Sequence, residues 1–162
     1  MAYSSNAQRE LGRILEIAQK SPTLRARIKS GGMPKAQAGW RAEVELISAA
    51  KMKRLNAQYR GKDYATDVLS FGAPEPMQRL GVLGELVICT QVLERQAREC
   101  GHSPSAELRV LLVHGVLHLL GMDHEQGGRQ EKEMRKWEEK LLKKLARPGA
   151  RSRTGLIGRA SS

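Results

Sequence analysis

Apolar positions along the 162-residue chain fall alternately into helical and strand-like rhythms. Leu11, Ile14, Leu15 and Ala18 recur at three- and four-residue spacing, which predicts an amphipathic helix over about residues 7–20. Ser30-Gly31-Gly32-Met33-Pro34 breaks that pattern. Ala42, Val44 and Leu46 then alternate with Glu43 and Glu45, the signature of a half-buried strand. Met52, Leu55 and Tyr59 mark a helix that runs to Arg60 and is closed by Gly61. Residues 67–71 and 83–89 read as short apolar strands, separated by the turn-rich residues 72–81. Val92, Leu93, Ala97 and Cys100 form a further helix that stops at Gly101.

Ser103-Pro104 has the form of an N-cap followed by proline at the first helical position. The helix it opens, over residues 107–120, is apolar almost all round, which predicts a buried central helix ended by Gly121. Met134, Trp137, Leu141 and Leu145 line one face of a last helix whose outer face carries Lys and Arg. The expected fold is α+β, with a small mixed sheet of about four strands surrounded by helices. Residues 1–146 form one domain. Residues 147–162, four arginines interleaved with Pro, Gly and Ser, are expected to be a disordered basic tail.

The central helix is where chemistry enters. His114 and His118 stand at i and i+4, so both imidazoles project from one face. Gly121 can adopt the left-handed conformation that turns the chain back, which brings His124 within reach of the same point. Three converging neutral imidazoles leave a fourth position open, the arrangement of a catalytic rather than a structural zinc. A lone histidine on an apolar helix is usually a hydrogen-bonded core residue. Here three of the chain's four histidines fall at ligand spacing, and burying two imidazoles without partners would cost about 1–3 kcal/mol each.

The spacing matches the metzincin pattern H-E-x-x-H-x-x-G-x-x-H except that Gly115 stands where that pattern has its glutamate. A peptide hydrolase of that type would lack its general base, which counts against a protease. His114-Gly115-Val116-Leu117-His118-Leu119-Leu120-Gly121-Met122-Asp123-His124, preceded by Thr66-Asp67-Val68-Leu69-Ser70-Phe71, instead resembles the YbeY family of bacterial rRNA-maturation endoribonucleases. Leu55-Asn56-Ala57-Gln58-Tyr59-Arg60 and Leu83-Gly84-Glu85 extend the likeness over residues 43–124. Gly72, Glu85 and Met122 depart from the residues usual in that pattern, Pro, Asp and Tyr.

The resemblance implies a metal-dependent endoribonuclease specific for single strands, acting in maturation of the 16S rRNA 3′ end and in late ribosome quality control. It implies one Zn²⁺ per chain held by His114, His118 and His124, with Arg60 the important basic residue of the cleft. From its own position Arg60 is either a cap favoured by the helix dipole or a bidentate phosphate clamp. Asp67, Ser70 and Glu85 either line the cleft or satisfy backbone groups. Asp123 reads as a turn former or a group orienting an imidazole, and His102 as a loop residue. Cys89 reads as core and Cys100 as a helix end, neither a zinc ligand.

Composition narrows the partners. Twenty-eight Lys and Arg against 17 Asp and Glu give a net charge of +11, which suits a polyanion. The first sixty residues hold twelve basic and four acidic side chains, and the tail adds its arginines, so the excess is concentrated there. Aromatic residues are 4% of the chain, too few for the stacking platforms of common RNA-binding modules, so charge and shape must hold RNA. The partners expected are single-stranded RNA, chiefly rRNA, and the small ribosomal subunit, with neither DNA nor membrane. No apolar run is long enough to span a bilayer, and the first residues lack the apolar stretch of a secretory signal. Two isolated cysteines suit a reducing cytoplasm. A metalloprotease and a non-catalytic ribosome-assembly factor with a structural metal are the competing readings.

Overall fold

The computed structural model describes residues 2–28, 39–123 and 127–146. The expected break at Ser30–Pro34, His124 and the arginine-rich tail lie outside the described residues. The elements in order are α1 (Ala2–Gln19), α2 (Pro22–Arg25), β1 (Arg41–Ile47), α3 (Ala49–Arg60), β2 (Val68–Gly72), α4 (Glu75–Arg79), β3 (Val82–Cys89), α5 (Thr90–Cys100), α6 (Pro104–Leu119) and α7 (Arg129–Leu145). Ser21, Ser48 and Ser103 cap α2, α3 and α6, each hydroxyl accepting the backbone N–H three residues on. Gly61 and Gly101 close α3 and α5 in the left-handed conformation, as their positions predict.

The fold is α+β, and its sheet has three strands among the described residues, in the order β1-β3-β2. β1 runs parallel to β3 and β2 antiparallel to it, so β3 is the central strand. About four strands were expected. The N-terminal residues contribute none, because α1 already begins at Ala2 and buries Ala7 one turn ahead of Leu11. The residues between β2 and β3 are not wholly turn, since Glu75–Arg79 closes a short helix.

Two apolar clusters flank the sheet. The larger joins Val44, Leu86 and Ile88 to α1, α6 and α7, and the smaller joins Leu69, Val87 and Cys89 to Met52 of α3. α6 is the buried central helix expected from its composition: Leu108, Leu111, Leu112, Val113, Val116 and Leu117 are all in the core. A register shift opposite Leu83 lets β3 change face, and Gly84 permits it with φ +147°. A Cβ there would stand 2.1 Å from the Phe71 carbonyl oxygen.

Gly115 sets how closely α6 approaches the sheet. A Cβ at this position would lie 2.8 Å from both methyl carbons of Leu86, which is itself wholly buried on the central strand. The position that holds the metzincin glutamate therefore faces packed core in this fold. Gly115→Ala is expected to destabilise the protein by about 1–3 kcal/mol through overpacking. Gly12→Ala, at an exposed mid-helix site with nothing nearby, should stabilise by about 0.4–1 kcal/mol. Urea midpoints of the two variants would move in opposite directions.

Candidate metal centre and cleft

The two imidazoles of α6 meet one turn apart, their ring centroids 4.6 Å apart and the rings inclined by 69°. Their Nε2 atoms approach to 3.0 Å. Two nitrogens each about 2.0–2.1 Å from one tetrahedral zinc would be about 3.3–3.4 Å apart, so a small rotation of either ring admits the ion. The i, i+4 spacing thus brings the two ring nitrogens together, as expected of that spacing. His114 Nδ1 lies 2.6 Å from Glu138 Oε1 on α7. A carboxylate only accepts hydrogen bonds, so in the neutral ring the Nδ1 side is the donor and Nε2 turns its lone pair toward His118. Both side chains keep partial access to solvent, 21% for His114 and 29% for Glu138.

The chain beyond His118 is turned back by a Schellman closure. The Gly121 N–H donates to the His118 carbonyl, and the Met122 N–H donates to that of Leu117. Gly121 supplies the required positive φ of 84°. Arg27 donates to the Leu120 and Gly121 carbonyls, placing a cation on the exposed C-terminal end of the helix. Met122 is buried and Asp123 half-buried, so the residue next to His124 is held close to the end of α6.

Arg60 ends α3 on the exposed side, next to Tyr59, whose ring meets Phe71 of β2 edge-on at 5.1 Å. Phe71 packs with the α3 cluster, while Ser70, on the opposite face of β2, donates to the Gly115 carbonyl oxygen at 3.4 Å. Arg60 and the imidazole pair thus belong to opposite faces of the sheet, with edge strand β2 between them. Buried Asn56 ties the intervening loop down by donating to the Tyr64 carbonyl. Asp67 is engaged with its surroundings: its carboxylate accepts from the Val68 N–H and from Gln96. Glu85 is exposed on the central strand.

The family model for endoribonuclease YbeY matches residues 5–146. The chain belongs to this family. Endoribonuclease YbeY of Aquifex aeolicus is 46% identical over 104 residues, which are 64% of this chain and 69% of that protein. The Pseudomonas entomophila protein of the same name is 46% identical over 107 residues, 65% and 68% of the respective chains. The chloroplastic YBEY of Arabidopsis thaliana is 49% identical over 98 residues, 59% of this chain and 17% of that longer protein. The solution structure of TM1509 from Thermotoga maritima is similar over 86% of this chain and 93% of that one, at 29% identity and a TM-score of 0.45.

This YbeY-family chain holds a second group of ligand-type side chains where α5 turns into α6. Cys100, His102 and Glu107 bring their ligand atoms within 4.8 Å of one another. The sequence reading of His102 as a loop residue missed its partner: the ring lies 2.5 Å from the carboxylate of Glu107, which is wholly buried. The signal was present, since Glu107 shares its face of the helix with Val110 and Leu111 and is the one acidic residue of that helix. The three atoms could hold a cation, but the close imidazole–carboxylate contact already gives the buried carboxyl group a partner. His102→Ala should therefore cost about 1–3 kcal/mol of stability, the same with chelator as with added zinc. Urea unfolding in both buffers checks this, and a loss seen only with zinc would make the group a metal site.

Proposed function

We propose that this protein is a zinc-dependent endoribonuclease that cleaves single-stranded RNA, with His114, His118 and His124 holding one Zn²⁺. The observation that carries the reading is the pair of Nε2 atoms aimed at one point, in a chain of the YbeY endoribonuclease family. When bound, zinc supplies a Lewis acid for a phosphoryl oxygen and lowers the pKa of water toward about 7. The chain's own residues bind and orient the substrate. Arg60, at the exposed end of α3, grips the RNA phosphodiester and balances the charge that develops there. The basic side chains concentrated in the first sixty residues hold the flanking phosphates.

The natural substrate on this reading is the 3′ end of 16S rRNA, met on the small ribosomal subunit during maturation and late quality control, in the cytoplasm. Residues 1–146 make up the catalytic domain, and the arginines of residues 147–162 add nonspecific affinity for RNA. No helix among the described residues is long and apolar enough to cross a membrane. The protease reading loses ground because Gly115, at the position of the metzincin base, faces Leu86 in the core.

Two measurements test this reading. Arg60→Ala should leave zinc content unchanged and slow single-turnover cleavage of saturating single-stranded RNA about a hundred- to a thousandfold. A helix cap alone would cost about 0.3–1 kcal/mol of stability and leave turnover near normal. Affinity for the same RNA should fall linearly on a log–log salt plot, with a slope of about −0.7 per phosphate neutralised. Binding indifferent to salt would remove the basic surface from the account. Full zinc occupancy without RNA cleavage would favour a non-catalytic assembly factor.

A further inference from the structure

We propose that Glu138 is a positioning residue for the metal centre: it holds His114 as the Nδ1–H tautomer, so that Nε2 is permanently presented to zinc. The inference rests on the zinc-site reading above and deepens it. α7 carries Met134, Trp137, Leu141 and Leu145 into the core. Glu138 shares that inward side, as the positions four before and four after it are Met134 and Leu142. Two other α7 acids are paired elsewhere: Glu131 with Arg135 on its own helix, and Glu133 with Arg27. Glu138 instead reaches across to α6 and accepts from His114 at 2.6 Å.

The tautomer matters because each neutral imidazole has a single lone pair on nitrogen. Which nitrogen carries the proton is set by the hydrogen bond its other nitrogen makes. With Nδ1–H committed to Glu138, the His114 lone pair lies 3.0 Å from His118 Nε2, where the two rings converge. A carboxylate behind a ligating imidazole also raises its basicity and fixes the ring plane, and losing such a partner typically costs 10–100-fold in metal affinity. The same bond ties α7 to α6, so the last helix becomes part of the metal site rather than a cover over the core.

The test uses the full chain and Zn²⁺ itself, with affinity measured by chelator competition and the His114 tautomer read from side-chain ¹⁵N shifts. Glu138→Ala should weaken zinc binding about 10–100-fold and release the Nδ1–H tautomer in the metal-free protein. Glu138→Gln, whose amide oxygen still accepts the Nδ1 proton, should keep the tautomer and stay within a few-fold of wild-type affinity. A helix-tethering ion pair with no part in ligation would leave zinc affinity untouched in both variants, which overturns the proposal. So would equal losses in the two variants, or an unchanged tautomer in Glu138→Ala. His114→Ala and His118→Ala run alongside separate the cases: if they too bind zinc like wild type, the zinc-site reading itself fails. If they lose zinc while Glu138→Ala does not, only the positioning role falls.

Discussion

The site depends on one close approach, the backbone of α6 at Gly115 against the side chain of Leu86 on the central strand. Leu86 is wholly buried and cannot move aside, so only a residue without a side chain lets the helix sit at this depth. That contact fixes the rotation of α6 about its axis. Val113, Val116 and Leu117 then fill the core, His114 is turned to the side where α7 lies, and His118, one turn on, meets it there. The glycine that denies this fold a metzincin base is thus the residue that aims its imidazoles.

Everything near the pair serves to keep it aimed. The Ser103 hydroxyl starts the helix and the closure at Gly121 ends it, so the two histidines have a defined length of helix around them. Arg27 neutralises carbonyls at the helix end, from a segment 93 residues away in sequence. Ser70 donates to the Gly115 carbonyl from edge strand β2, linking the strand whose other face meets Tyr59 to α6. The histidine pair is built on a packed helix beside a strand edge rather than on loops, which suits the precise geometry the proposed site needs.

Much of this was legible in the sequence because it is local. Caps, left-handed glycines and the i, i+4 histidine pair are short-range signals, and α3, α5 and α6 ended where Gly61, Gly101 and the Gly121 turn predicted. What was not legible is long-range. Glu138 sits in a run of charged residues, Glu138-Glu139-Lys140, and only its register with Met134 and Leu141 hints that it turns inward. The Arg27 contact has no local signature at all, and the His102–Glu107 pair is visible only once the α5–α6 corner closes. Gly115 was legible as a missing catalytic base, but the reason for its presence, Leu86, lies 29 residues upstream on another element. Periodicity started α1 at Ala7, whereas the helix extends back to Ala2, so these residues add no strand to the three among the described residues.

On the proposed function, zinc is held by the imidazoles of α6 and not by the Cys100 corner. X-ray absorption at the zinc edge of the full chain loaded with one equivalent of metal tests it most directly. The account predicts a first shell of nitrogen and oxygen at about 2.0–2.1 Å, with the outer scattering of imidazole rings and no sulfur. A zinc–sulfur distance of about 2.3 Å would place the ion with Cys100 and contradict the account.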